Sequence, residues 1–177
     1  MKQATLMSQT GIFNQTVPVF TGMLDRMGAW LTIAQPCCAA KGISVDALLQ
    51  ERLAPDMFTL LGQYQMATAF AKNGVSRLAG LTPPDFPDVE KTEADVRARI
   101  ARARGIVESV TEGMLAGAER REITIQTGPD QKMALTGEAY LLSFCLPQFY
   151  FHASMAYAIL RHNGVPLGKR DFLTLQR

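Results

Sequence analysis

Phe149-Tyr150-Phe151-His152-Ala153-Ser154-Met155-Ala156-Tyr157-Ala158-Ile159-Leu160-Arg161-His162-Asn163-Gly164-Val165-Pro166 is the stretch on which the reading of this chain turns. It predicts an aromatic-rich helix closed by Asn163-Gly164, the pair best able to take a left-handed cap, with Pro166 barring continuation. Both histidines of the chain fall within it. A rotation of about 100° per residue gathers Leu141, Cys145, Gln148, His152, Ala156 and Ile159 on one side, so His152 is expected to face inward. Phe149, Tyr150 and Phe151 instead surround the helix, which implies burial on several sides and suits a second subunit.

Upstream, the apolar spacing repeats three more times. Phe20, Leu24, Met27, Leu31, Ala34 and Cys38 form one stripe of a helix from about Val17 to Ala40, with a kink or early end expected at Pro36. Ser44 can cap a short helix to about Arg52. Pro55-Asp56 is expected to open a second long helix running to about Ala79, striped by Leu60, Tyr64, Ala67, Ala71, Val75 and Leu78 and stopped by Gly80. Three prolines in Leu81–Pro87 demand an extended crossing loop. Thr92 and Asp95 resemble a capping arrangement for a third long helix, striped by Val96, Ile100, Ala103, Val107 and Val110.

The period then changes. Glu122–Gln126 and Lys132–Leu135 alternate as strands do, around the turn sequence Thr127-Gly128-Pro129-Asp130, so a hairpin is expected against the bundle. Thr136 can cap the fourth long helix, with a kink at Pro147. The whole is an all-α four-helix bundle with a small β-hairpin inserted before the last long helix, in a single domain spanning 1–177.

At 177 residues, with 47% hydrophobic and 19% charged residues, the composition is that of a globular protein. Such a chain buries roughly 70% of its unfolded surface without staples. No apolar run approaches the ~20 residues of a membrane span, and a net charge of +2 selects no polyanion, so neither membrane nor nucleic acid is expected as a partner. The N-terminus lacks the cationic start and apolar run of a secretory signal, which points to the cytoplasm. Cys37, Cys38 and Cys145 match neither a disulfide framework nor a CxxC pattern and are expected to be buried thiols. No GxGxxG, P-loop, GxSxG, HExxH or EF-hand pattern occurs.

The candidate site gathers around His152. An inward histidine can ligate a metal, relay protons, or satisfy both ring nitrogens in a packed core. His162 lies roughly 15 Å further along a continuous helix, so the two cannot share a metal, and it is expected to cap the helix end. Asp56 and Gln63 project beside the core stripe of the second long helix, and Gln65 points nearly opposite. Asp56, Gln63 and His152 therefore converge if the two helices pack face to face. A carboxylate, an amide and an imidazole are a thin metal set, since amide oxygen suits hard cations better than zinc. Arg97, Arg99, Arg102 and Arg104 could meet phosphates, but their spacing predicts a solvated helix face. Lys169-Arg170-Asp171 predicts a tail tied down by ion pairs.

Leu53-Ala54-Pro55-Asp56-Met57-Phe58, Gln63-Tyr64-Gln65, Phe149-Tyr150-Phe151-His152 and Leu160–Phe172 together resemble an uncharacterised bacterial domain-of-unknown-function family within the DinB/YfiT-like superfamily. The resemblance spans nearly the whole chain and implies a DinB-like four-helix bundle, often dimeric. It also implies a divalent metal held by three histidines, one on the second long helix and two spaced four apart on the last, in thiol-dependent transferases or hydrolases. Here only His152 matches. Ala156 stands four residues on, and Gln63 and Gln65 occupy the second helix.

Two functions are therefore expected in order. The first is a homodimeric bundle binding a small molecule through His152, Gln63, Asp56 and Gln148, without cofactor, and with no metal ligand beyond His152 should one bind. The second is a divergent DinB-type metal-dependent transferase or hydrolase. The residues assign no catalytic group.

Overall fold

The computed structural model describes residues 11–173, so the two ends of the expected 1–177 domain, residues 1–10 and 174–177, lie outside the described residues. The first long helix, α1 (Ile12–Ala40), buries the expected stripe from Phe20 to Cys38. It continues through Pro36 to Ala40, so the early end expected at that proline does not occur. Pro36 and Thr32, whose carbonyl loses its amide partner, are both exposed, so water can serve that carbonyl while Ala34 and Cys38 stay packed.

After a short helix, α2 (Val45–Leu48), capped by Ser44 as expected, the chain turns rather than continuing to Arg52. The second long helix, α3 (Leu60–Leu78), starts at Thr59, whose hydroxyl accepts from Gly62 N, and not at Pro55. Carbonyls left free by the turn explain the choice: Leu60 N donates to Glu51 O at 2.8 Å and Leu61 N to Leu49 O at 2.9 Å, serving amides that a helix start would otherwise orphan. The helix ends on Gly80, which takes a φ of 73°.

An extended strap, residues 81–91, crosses to α4 (Glu93–Ser109), where Thr92 and Asp95 form the expected capping box. Strands β1 (Glu122–Gly128) and β2 (Gln131–Thr136) pair antiparallel, with Ile123 and Ile125 turned into the core. At the join to the last helical stretch, Gly137 is obligatory, because a Cβ there would lie 1.8 Å from Ala118 O. Thr136 caps α5 (Gly137–Tyr140), one wider π-helical turn spans Leu141–Cys145, and α6 (Leu146–His162) follows. At Pro147, where a kink was expected, the irregularity is that π turn, which places the proline in the first turn of α6 where a missing amide costs little.

The C-terminal cap forms as the sequence predicts. Gly164, at φ 81°, donates to Arg161 O, and Val165 N donates to Leu160 O, closing the helix with a left-handed glycine. The tail, α7 (Lys169–Phe172), is held differently from expectation: Trp30 Nε1 donates to Asp171 O at 2.9 Å and Phe172 stacks on the Trp30 ring. Among the described residues, none of Lys169, Arg170 and Asp171 makes an ion pair.

Packing is centred on α3, which lies most extensively against α6 and then against α4. Close approach of α3 to the π turn depends on Gly74, where a Cβ would meet Cys145 Sγ at 2.4 Å. Phe20 meets Phe149 edge-on at 4.8 Å, and the Tyr64 hydroxyl donates to Met27 O, tying α1, α3 and α6 into one core. The fold is a helical bundle carrying a two-stranded hairpin before its last long helix, as expected. Among the described residues no helix is long and apolar enough to cross a membrane.

Candidate functional site

The contact of α3 with α6 fixes Gln63 and His152 against each other. Leu60, Tyr64, Ala67 and Ala71 bury the stripe of α3, which places Gln63 on its flank with only 1% exposure. Phe149, Ala153 and Ala156 do the same for α6 and leave His152 4% exposed. His152 Nδ1 lies 2.8 Å from Gln63 Oε1. The other end of the amide sets its orientation: Gln63 Nε2 donates to Phe58 O at a long 3.4 Å, so the oxygen faces the ring and Nδ1 is the protonated nitrogen. Nε2 then carries the lone pair, and among the described residues no group bonds to it.

Three aromatic rings frame the imidazole. Phe70 stacks on it at 5.7 Å with planes 10° apart, Phe58 meets it edge-on at 6.1 Å and Phe151 at 5.2 Å. Burial removes the water that would solvate an imidazolium and pushes the His152 pKa down to about 4, so the ring is neutral at pH 7. A neutral imidazole held by Nδ1–H is a hydrogen-bond acceptor, a base or a ligand through Nε2.

The other expected site residues are placed as follows. Gln148 is half-buried one turn before His152 and lines a cleft of about 260 Å³ with Ser143, Phe144, Pro147 and Phe151. Asp56 does not join the pair, because the later start of α3 leaves it exposed in the preceding turn. Gln65 points away, as expected, and donates to Glu90 Oε2 at 2.9 Å. His162 is exposed in the last turn of α6. Cys38 and Cys145 are buried, and burial pushes the Cys145 thiol up to about 12, which makes it inert as a nucleophile.

Sequence reasoning missed Phe58 and Phe70. Phe70 follows Gln63 by two helical turns, and that spacing was the available signal. Phe58 sits in a turn and gave none.

The arginine cluster corrects the expectation of a solvated face. Arg99 is buried, and its guanidinium donates to Thr68 Oγ1 at 2.8 Å, to both oxygens of Glu90 at 2.9 and 3.0 Å, and to the carbonyls of Pro87 and Gln65, while Asp88 lies 2.9 Å away. Arg102 donates to Asp85 O and lies over the Phe86 ring at 4.0 Å, and Lys72 donates to Pro84 O at 2.6 Å. These cations latch the strap to the bundle.

A three-histidine metal set does not fit this site. Its donors are one imidazole and one amide oxygen already bonded to that imidazole, with Ala156 contributing nothing. Among the described residues no cluster of three histidine, cysteine, aspartate or glutamate side chains could hold a metal ion. One nitrogen donor is too few for a zinc-like cation.

Comparison with known proteins places the chain more closely. The family described as "Domain of unknown function (DUF1993)" matches residues 12–173. A crystal structure of a DinB family member protein from Shewanella denitrificans is 38% identical, superposes with a TM-score of 0.85, and covers 92% of this chain and 91% of that one. No curated protein matches the chain.

Proposed function

We propose, from the premise that the chain belongs to the DinB-like family of the Domain of unknown function (DUF1993), that it binds a small molecule beside His152. One observation carries this reading: a buried, neutral imidazole fixed by Gln63 through Nδ1 and left with an unused acceptor at Nε2. A ligand group that donates to Nε2 would take the place of solvent at that atom, since no described residue bonds to it and it is not a sealed, stranded acceptor. Gln63 acts as the orienting residue, Phe58, Phe70 and Phe151 as apolar walls, and Gln148 as a polar group in the adjoining cleft.

Thermal-shift screening of a small-molecule library against the wild-type protein and His152→Ala tests the reading. A compound that stabilises the wild type should lose at least tenfold in affinity for the variant, whose far-UV circular dichroism stays unchanged. Affinity equal in both proteins overturns it.

Homodimer formation is a second proposal, supported by a separate observation. Leu142, Tyr150 and Phe151 stand exposed on the last helical stretch, where a subunit contact would cover them. Sedimentation velocity showing only monomer at micromolar concentration overturns it.

A further inference from the structure

We infer that a second copy of the chain, seated on the uncharged outer face of the last helical stretch, forms the outer wall of the His152 site, so that the site is complete only in the dimer. This inference rests on the two readings above, the small-molecule site and the homodimer, and adds that they share one surface.

Charge sets that face apart. Between Glu138 and Arg161 the sequence holds no aspartate, glutamate, lysine or arginine. The exposed positions of the stretch are Leu142, Ser143, Pro147, Tyr150 and Phe151. The outer face of α4, in the same bundle, instead exposes Asp95, Arg102 and Glu108. A two-fold contact lays a patch against its own copy, so a charge near the axis meets a charge of its own sign. A patch without charge escapes that repulsion. An unlike partner imposes no such rule, because its charges can be met by opposite ones, so a wholly uncharged face favours a second copy.

The same face borders the imidazole. Phe151 is half-exposed on it, and its ring meets His152 edge-on at 5.2 Å. Phe58, 56% exposed, meets the same imidazole edge-on at 6.1 Å. Nε2 of His152, to which no described residue bonds, is not sealed from solvent. A single chain therefore supplies a back, Phe70 and Gln63, and two half-exposed rings, and leaves the front to water. Small-molecule sites usually enclose about 70–90% of the ligand surface, which an open front does not achieve. A copy that covers Leu142, Tyr150 and Phe151 stands at the edge of that opening and closes it. The cleft from Ser143 to Phe151 lies on the same stretch and gives a side chain of the other copy a place to enter.

Leu142→Glu tests the surface from outside the site, since Leu142 is exposed and lies roughly 15 Å along the helix from His152. On a two-fold contact the new carboxylates repel, so sedimentation velocity should show the wild-type dimer becoming monomer, with circular dichroism unchanged. Tyr150→Arg repeats the test with the opposite charge, and dilution of the wild type repeats it with no substitution. Solvent access to the imidazole is read from the NMR relaxation that a neutral gadolinium chelate induces in its ring protons, with exposed His162 as internal reference. In the monomeric form the effect on His152 should rise at least threefold and that on His162 should stay constant. A dimer that survives both substitutions uses another face, which overturns the inference and spares the homodimer. Dissociation with unchanged relaxation at His152 also overturns it, because the copies would then meet here without walling the site. A wild type that is only monomeric removes homodimer and inference together, and leaves the small-molecule reading to the His152→Ala comparison.

Discussion

Arg99 and His152 both reach α3 from a neighbouring helix, one from α4 and one from α6, and both are buried polar side chains. Arg99 spends its donors on Thr68, Glu90 and two carbonyls, with Asp88 as a second counter-charge. His152 spends one nitrogen on Gln63 and keeps the other. Saturation therefore separates the two: a buried group whose capacity is used up by the protein fixes the fold, and one whose capacity is half used is poised for something outside it. The strap cleft of about 250 Å³ beside Arg99 shows why a cavity alone is a poor guide, since Glu90 and Arg99, which line it, already neutralise each other.

The contrast is broken most directly at the latch. Arg99→Ala takes the counter-charge from Glu90, which keeps only the Gln65 amide, and the Arg99 donors from the Pro87 and Gln65 carbonyls, and a broken buried ion pair costs about 3–5 kcal/mol. Urea unfolding should show a loss of that size, and Arg99→Lys should restore little of it, because a point charge cannot reproduce the fork of bonds. A loss under about 1 kcal/mol, the scale of an exposed pair, would make the latch ornamental.

Acid is the next largest perturbation, and it reaches the two regions in separate windows. The His152 pKa is pushed by burial from 6.5 to about 4 in the folded state, so between those values the unfolded chain binds the extra proton. Stability contributed by the neutral ring is full above pH 6.5 and falls as pH drops to 4, by at most about 3 kcal/mol, since solvent at the ring screens part of it. Burial pulls the Glu90 carboxyl up, but hydrogen bonds from Gln65 and Arg99 outweigh it and hold the pKa below the usual 4.5. Its contribution is present above pH 4.5 and is lost only below. Unfolding free energy measured from about pH 7.5 to 4 should therefore slope downward from pH 6.5. A flat profile between 6.5 and 4.5 would mean the imidazole is not desolvated.

Thr92→Ala touches the end of the strap more mildly. It removes the hydroxyl that accepts from Asp95 N and should cost about 1 kcal/mol, read as a shift in the urea midpoint at unchanged slope. A midpoint that does not move would show that the latch alone positions the start of α4.

The two regions also differ in how much of them the residues announced. His152 and Gln63 lie on regular helices, where a period of about 3.6 fixes which way each side chain points, and the helices meet as the apolar stripes require. Arg99 sits in an equally regular helix, yet its burial depends on where the strap delivers Asp88 and Glu90, and no local spacing encodes that. Asp56 failed for a related reason. Pro55-Asp56 and Thr59 both signal a helix start, and the carbonyls of Leu49 and Glu51, brought close only by the fold, decide for Thr59. Pro36 breaks no helix because its exposed setting lets water replace the missing bond.

The smallest expected change in stability makes the sharpest test. The double variant His152→Phe/Gln63→Leu removes the imidazole and the amide together, so the one bond lost to the rest of the protein is the long one to the Phe58 carbonyl, and the new ring can stack on Phe70 much as the imidazole does. Stability at pH 7 should stay within about 1 kcal/mol of wild type, and the slope between pH 6.5 and 4 should vanish with the titrating group. Ligands that act through Nε2 should lose at least tenfold in affinity. A pair removable without harm to the fold but fatal to binding is what an unsaturated site means. If the double variant instead unfolds as readily as Arg99→Ala, then His152 is a second structural latch, and Nε2 is served by something other than a ligand.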